Sequence, residues 1–186
     1  MKIPVLGMDP SLRNWGLVTG MLDLTTLTFT PAHVHVVQPK EETHKQVRKN
    51  SKDLEVAHLL AIELEHLVPH AKLVFVEVPV GSQSARAMAS YGVCVGLLGS
   101  MRARGTQLIE VTATEVKRAL TNDKNASKDA MICAAHAAYP QLAWPRHKGA
   151  LASKCEHIAD AIGAVHAGIK TPTFQHLLSL FTGTMQ

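Results

Sequence analysis

Ile3-Pro4-Val5-Leu6-Gly7-Met8-Asp9-Pro10-Ser11 is the stretch from which the rest of the chain is read. Its length, apolarity and closing proline predict a strand over residues 2–9. A carboxylate at the end of a strand buried on both faces is costly unless a cation or hydrogen-bond donors hold it, so Asp9 is a candidate site residue. Residues 14–22, with Trp15, Leu17, Val18 and Leu22, predict a second strand after a short turn, and residues 27–37 a third. Three strands joined by short turns imply an antiparallel meander. His33 and His35 share one face of the third strand and read as solvated edge-strand side chains rather than a metal pair.

Residues 39–53 are the most polar part of the chain, with Lys40, Glu41, Glu42, Lys45, Arg48, Lys49 and Lys52. Interspersed acids make this a solvated connection, with a DNA-facing arm as the sharper alternative. Leu54, Ala57, Leu60, Ala61, Leu64 and Leu67 recur at helical spacing and predict a helix over 53–68. Residues 72–78 predict a fourth strand and 107–111 a fifth. Between them a helix over 83–104 carries small residues at Ala85, Ala89, Gly92 and Gly96, which permit close packing against the sheet or a partner. Thr112-Ala113-Thr114-Glu115 has the form of a capping box and opens the next helix. Further helices are predicted at 127–139 and about 154–167, with 140–153 an exposed loop holding Trp144, Arg146, His147 and Lys148. The order implies an α/β fold: a mixed five-stranded sheet, antiparallel over its first three strands, with helices on both faces. Residues 1–168 form one domain in this reading. Residues 169–186 are an extension whose apolar stretch, Leu177 to Phe181, predicts a helix packed on the domain or on a second subunit.

The chain has 186 residues, 46 % hydrophobic and 18 % charged, with a formal net charge of +4. That is the composition of a globular domain with a sizeable core, and its mild basicity fits an anionic partner. The three cysteines, Cys94, Cys133 and Cys155, form no CxxC pair and read as reduced core thiols rather than a zinc site. No run reaches transmembrane length and the N-terminus lacks a signal-peptide pattern, so no membrane role and a cytoplasmic location are expected.

Two further acids sit in core-like segments. Glu77 ends the apolar run Leu73-Val74-Phe75-Val76, and Asp160 lies within Ile158-Ala159-Asp160-Ala161-Ile162. His157 precedes Asp160 by three residues, so both project from one helix face. Converging carboxylates suit magnesium, which prefers hard oxygen ligands, and a histidine among them also admits manganese. Two such ions about 3.5–4 Å apart stabilise the attacking and leaving oxygens of a phosphodiester displacement. Glu110 follows a strand but fits a supporting structural role. Glu156 adjoins His157 and is expected to point elsewhere on the helix.

These residues carry a resemblance. Gly7-Met8-Asp9-Pro10-Ser11 with Gly16 resembles the first-strand motif of the RuvC family of Holliday-junction resolvases, within the RNase H-like superfamily. Phe75-Val76-Glu77 followed by Ser84-Ala85-Arg86 to Gly92 is similar to its second motif and following helix. Val111 to Lys117 with Ser127-Lys128 is similar to its fifth strand and next helix, and Glu156-His157-Ile158-Ala159-Asp160-Ala161 to its metal-binding helix. The resemblance spans about residues 3–168 in unbroken order and fits a phage-type member, in a bacterial or phage-infected cytoplasm.

The resemblance implies a metal-dependent endodeoxyribonuclease that resolves four-way DNA junctions by paired symmetric nicks. Asp9, Glu77, His157 and Asp160 would be its catalytic metal ligands, Mg²⁺ its cofactor, and Mn²⁺ a substitute. Lys117 and Lys128 would serve the scissile phosphate and its neighbours, with Ser84 and Arg86 also in DNA contact. Two symmetric cuts need two sites, hence a homodimer, with helix 83–104 as the expected interface. One position departs from the pattern: family members often carry an aromatic residue three places after the second acid, where this chain has Val80. That departure keeps open a broader debranching nuclease acting on flaps, forks and replication intermediates. Hydrolysis of RNA–DNA hybrids is a less supported enzymatic alternative, and a non-catalytic binder of branched DNA is the alternative from another class.

Overall fold

The computed structural model describes residues 1–40 and 46–183; Glu41, Glu42 and Lys45 of the polar connection, and residues 184–186 of the extension, lie outside the described residues. The meander forms as predicted, from β1 (Lys2–Asp9), β2 (Trp15–Asp23) and β3 (Thr28–Val37). β4 (Leu73–Glu77) joins β1 in parallel and β5 (Leu108–Val111) joins β4 in parallel, so the sheet order is β3-β2-β1-β4-β5.

The helices are α1 (Lys49–Leu67), α2 (Ala85–Ala103), α3 (Ala113–Thr121), α4 (Lys128–Ala138), α5 (Cys155–Gly168) and α6 (Pro172–Gly183). α1 starts at Lys49, earlier than its apolar spacing indicated, because its first turn is polar and solvent-facing. Its buried stripe is Val56, Leu60 and Leu64, and Leu54 is 71 % exposed. The capping box on α3 is present: the Glu115 carboxylate accepts from the Thr112 N–H (2.7 Å) and the Thr112 hydroxyl from the Glu115 N–H (3.3 Å).

Strand alternation divides the core in two. Leu6, Met8, Leu17, Val74 and Val76 pack on α1 and α2. Ile3, Val5, Phe75, Ile109 and Val111 pack on α3, α4 and α5. Helices thus cover both faces. Among them α5 is mostly buried, as its run of Ala, Ile, Gly and Val requires, with Glu156, His157 and Asp160 as the polar residues near its start.

Three sequence expectations are corrected. Residues 146–151 are a hairpin, not a loop, with β6 (Arg146–His147) paired to β7 (Ala150–Leu151). Trp144 is buried rather than exposed and donates its indole N–H to the Tyr139 carbonyl at 2.9 Å. Cys94 and Cys155 are buried, but Cys133 lies on the exposed side of α4. The C-terminal apolar stretch does form a helix, and Phe174 of α6 is buried against Phe75 with ring centroids 5.8 Å apart.

Candidate active site

Period-two alternation along β1 puts Asp9 on the same face as Ile3 and Val5, and along β4 it puts Glu77 on the face of Leu73 and Phe75. The parallel register pairs Met8 with Val76, which sets Asp9 beside Glu77 at the carboxyl ends of adjacent strands. α5 crosses this face with its first turn at the same end. His157 Nδ1 donates to Asp9 Oδ2 at 2.6 Å, and the two side chains are 20 % and 14 % exposed.

Glycines allow this approach. A Cβ on Gly7 would stand 2.3 Å from the Ala161 carbonyl oxygen, and one on Gly16, the pairing partner of Asp9, would stand 2.0 Å from that of His157. Any side chain at either position would push α5 off the sheet.

The carboxyl groups are mutually repulsive. Burial, with the charge of Asp9, pushes Glu77 up to about 7. Burial, with the charges of Asp9, Glu77 and Glu156, pushes Asp160 up to about 8. Burial also raises Asp9, and the hydrogen bond from His157 offsets this only in part. Burial pulls His157 down, but its bond to Asp9 and the surrounding carboxylates outweigh that and leave it raised. The charge of Asp9 acts on Glu77, His157 and Asp160 alike, which ties the four residues into one electrostatic cluster.

The cluster is not a closed ligand cage: among the described residues no three His, Cys, Asp or Glu side chains are grouped so as to hold an ion. Its donor chemistry nonetheless fits a hard divalent cation. Burial and mutual charge outweigh the cations near these three carboxyl groups, and a bound cation would relieve that imbalance. A neutral imidazole donating through Nδ1 also keeps its Nε2 lone pair for a ligand.

The cationic candidates divide. Lys117 lies close enough to Glu77 to oppose the rise in its pKa. Lys128 forms an ion pair with Glu156 at 2.8 Å and acts on Asp9 and Asp160. Ser84 is the N-cap of α2, accepting from the Ala87 N–H at 3.3 Å, and Arg86 forks onto Asp53 at 2.6 and 2.7 Å. Both side chains are engaged in structural bonds at the start of α2. Glu110 faces the α2 side of the sheet and pairs with Arg102, as a supporting residue.

Glu156 is the residue misread from sequence. It raises Asp9, Glu77 and Asp160, so it belongs to the rim of the site. Its spacing of four from Asp160 was the available signal.

No family model matches the sequence, and no curated protein matches it. Solved structures match the fold. Thermus thermophilus RuvC in complex with Holliday junction substrate aligns with a TM-score of 0.61 at 19 % identity, covering 98 % of this chain and 97 % of that one. A second Thermus thermophilus RuvC structure gives 0.59 at 20 % identity, covering 98 % of both chains. The fowlpox virus Holliday junction resolvase gives 0.50 at 11 % identity, covering 90 % of this chain and 98 % of that one. The chain has the RNase H-like fold in its RuvC form, as the sequence motifs implied.

Proposed function

We propose that this protein is a metal-dependent, structure-selective endodeoxyribonuclease that resolves four-way DNA junctions by paired symmetric nicks. The observation that carries the reading is the convergence of Asp9, Glu77, Asp160 and His157 at one end of a RuvC-type sheet, with Asp9 and His157 in contact at 2.6 Å. These four residues would hold Mg²⁺, or Mn²⁺ in its place. Bound there, the ions supply Lewis-acid charge to the scissile phosphate and its attacking water.

The chain's own groups do the rest. Asp9 holds His157 in one orientation, and Lys117 brings positive charge beside Glu77 for a phosphate oxygen. Lys128, now paired with Glu156 and largely exposed, can exchange that partner for DNA backbone. Ser84 and Arg86, at the start of α2, would add contacts to the same DNA.

Paired cuts need two sites, and α2 supports a dimer. Met88 and Val95 are 45 % and 46 % exposed on it, and a Cβ on Gly92, Gly96 or Gly99 would meet nothing within 4 Å. The small-residue face therefore looks away from the sheet and is open to a second copy. No helix of the described residues is long and apolar enough to cross a membrane.

Val80 favours a second reading. It is 83 % exposed on the loop after Glu77, so the junction-facing position holds a small apolar side chain that stacks poorly on bases. A debranching nuclease acting on flaps and forks as readily as on junctions would fit it. The deciding experiment is cleavage of a labelled four-way junction beside flap and linear duplex, with and without Mg²⁺ or Mn²⁺. Metal-dependent paired nicks giving ligatable duplexes support a resolvase, equal cutting of flaps supports the debranching enzyme, and no cutting refutes both.

A further inference from the structure

The β6–β7 hairpin has no part in the ligand cluster, but it adjoins the helix that carries His157 and Asp160. From Ala130 to Cys155 the chain contains no Asp or Glu, while Arg146, His147, Lys148 and Lys154 fall within it. The polar connection at 39–53 intersperses acids with its bases; this segment does not. Arg146, His147 and Lys148 are all exposed.

The hairpin is held rather than loose. Lys148 and Gly149 both have positive φ, 48° and 84°, as a two-residue type I′ turn requires. The Arg146 guanidinium closes the tip by donating to the Gly149 carbonyl at 2.9 Å. At the base, the Pro145 carbonyl accepts from the Ala152 N–H at 2.9 Å and from the Cys155 thiol at 3.2 Å. Cys155 is the first residue of α5, so the hairpin is tied to the helix turn that presents His157 to Asp9. Lys154 extends the connection: its ammonium donates to Gln38 at 3.0 Å, and Gln38 donates to Asn14 at 2.8 Å beside the turn that follows Asp9.

Lys148 is the telling residue. The first position of a type I′ turn favours Asn, Asp or Gly, because at positive φ a Cβ crowds the following carbonyl oxygen, which Gly avoids and Asn or Asp offset by local hydrogen bonds. A lysine there places a flexible cation at the apex, with no acid on the hairpin to neutralise it.

We infer that the Arg146–Leu151 hairpin is a DNA-backbone clamp, in which Lys148 and His147 contact phosphates of the duplex arm that leaves the cleavage site on the α5 side. The inference rests on the junction-nuclease reading and adds a contact element to it. The hairpin supplies positioning without base recognition, since phosphate contacts fix register and carry no sequence information.

The test is equilibrium binding of a labelled four-way junction to the full-length protein without divalent cation, across a salt series, for the parent, Lys148→Asn and Lys148→Glu. Lys148→Asn suits the turn and should fold at least as stably, which thermal denaturation checks. Loss of one phosphate contact should weaken binding equally for junctions of different sequence and make the salt slope shallower by about one. Lys148→Glu should weaken binding further. Unchanged affinity and slope in both variants would overturn the clamp while leaving the nuclease reading intact. A parent that binds no branched DNA would overturn the nuclease reading, and the clamp with it.

Discussion

Gly16 and His157 touch across the sheet at the closest tolerance in the site: a Cβ on Gly16 would stand 2.0 Å from the His157 carbonyl oxygen and 2.9 Å from its Cβ. Gly16 is also the antiparallel partner of Asp9. One missing methyl group thus sets how closely α5 brings its imidazole to the carboxylate.

Gly16→Ala is therefore expected to cost about 1–3 kcal/mol of stability through overpacking against backbone that cannot move locally. Cleavage should fall by about a hundredfold, since a displacement near 1 Å is enough to misalign a site. Chemical denaturation and cleavage rate on the same preparation measure both. A variant that is destabilised yet cuts at the parent rate would show that α5 placement does not matter.

Asp9→Asn removes the charge at the centre of the cluster while keeping its shape. Cutting should drop about a thousandfold or more, because charge stabilisation worth several kcal/mol is lost. Junction binding should persist or tighten as a buried negative charge is removed. Circular dichroism guards against unfolding. Retained cutting would rule Asp9 out of the reaction.

Divalent cation should stabilise the parent. Mg²⁺ or Mn²⁺ that binds the folded state alone raises the melting temperature with concentration, adding about 2.7 kcal/mol of stability at a hundred times the dissociation constant. At neutral pH, Asp160→Asn should melt higher than the parent without metal, because a carboxyl that burial and its neighbours push up to about 8 must take up a proton on folding and the amide need not. It should respond less to added ion. An equal response in the two proteins would remove Asp160 from the ligand set.

His166 gives a pH signature away from the site. Burial, with Lys170 nearby, lowers its pKa, and its Nε2 lies 2.7 Å from the Tyr139 hydroxyl, whose O–H it accepts when neutral. A base with a depressed folded pKa contributes stability that is fully present above its ordinary value near 6.5 and is lost as pH falls through that value towards the folded one. Between pH 7.5 and 5.5 the parent should lose more stability than His166→Gln. Denaturation midpoints across that range check the sign, and parallel curves would refute it.

Val95→Glu tests the proposed dimer. Val95 is 46 % exposed and the neighbouring Gly92, Gly96 and Gly99 adjoin open space, so the monomer should fold with a change of only about 0.5 kcal/mol. Two glutamates facing each other across a two-fold axis should separate the subunits. Sedimentation should then move from dimer to monomer, with paired nicks giving way to single ones. A dimer that survives would place the interface elsewhere.

Much of the fold is legible in the chain because it is written in local periodicity. The meander of β1–β3, the parallel entry of β4 and β5, and the helices on both faces follow from apolar spacing and turn residues. Thr112 and Glu115 form the capping box that their spacing announces. The β6–β7 hairpin is invisible by the same measure, since strands of two residues carry no period. Trp144 reads as exposed beside Arg146 and His147, and only packing against α4 and the Tyr139 carbonyl buries it. Cys133 reads as core within an apolar helix, yet its side of α4 faces out.

The sequence by itself determined which residue types could make the site: a carboxylate at the end of β1, another at the end of β4, and a histidine and an aspartate three apart on α5. Period two and period 3.6 assign each to a face of its own element, and that much is local. Tertiary structure decided that these faces coincide. Asp9 and His157 are 148 positions apart, and their contact at 2.6 Å exists because Gly7 and Gly16 let α5 lie against β1 and β2. It also decided that Glu156 joins the cluster and that Lys128 neutralises it, because the charge on a buried carboxylate is set by neighbours in space rather than along the chain.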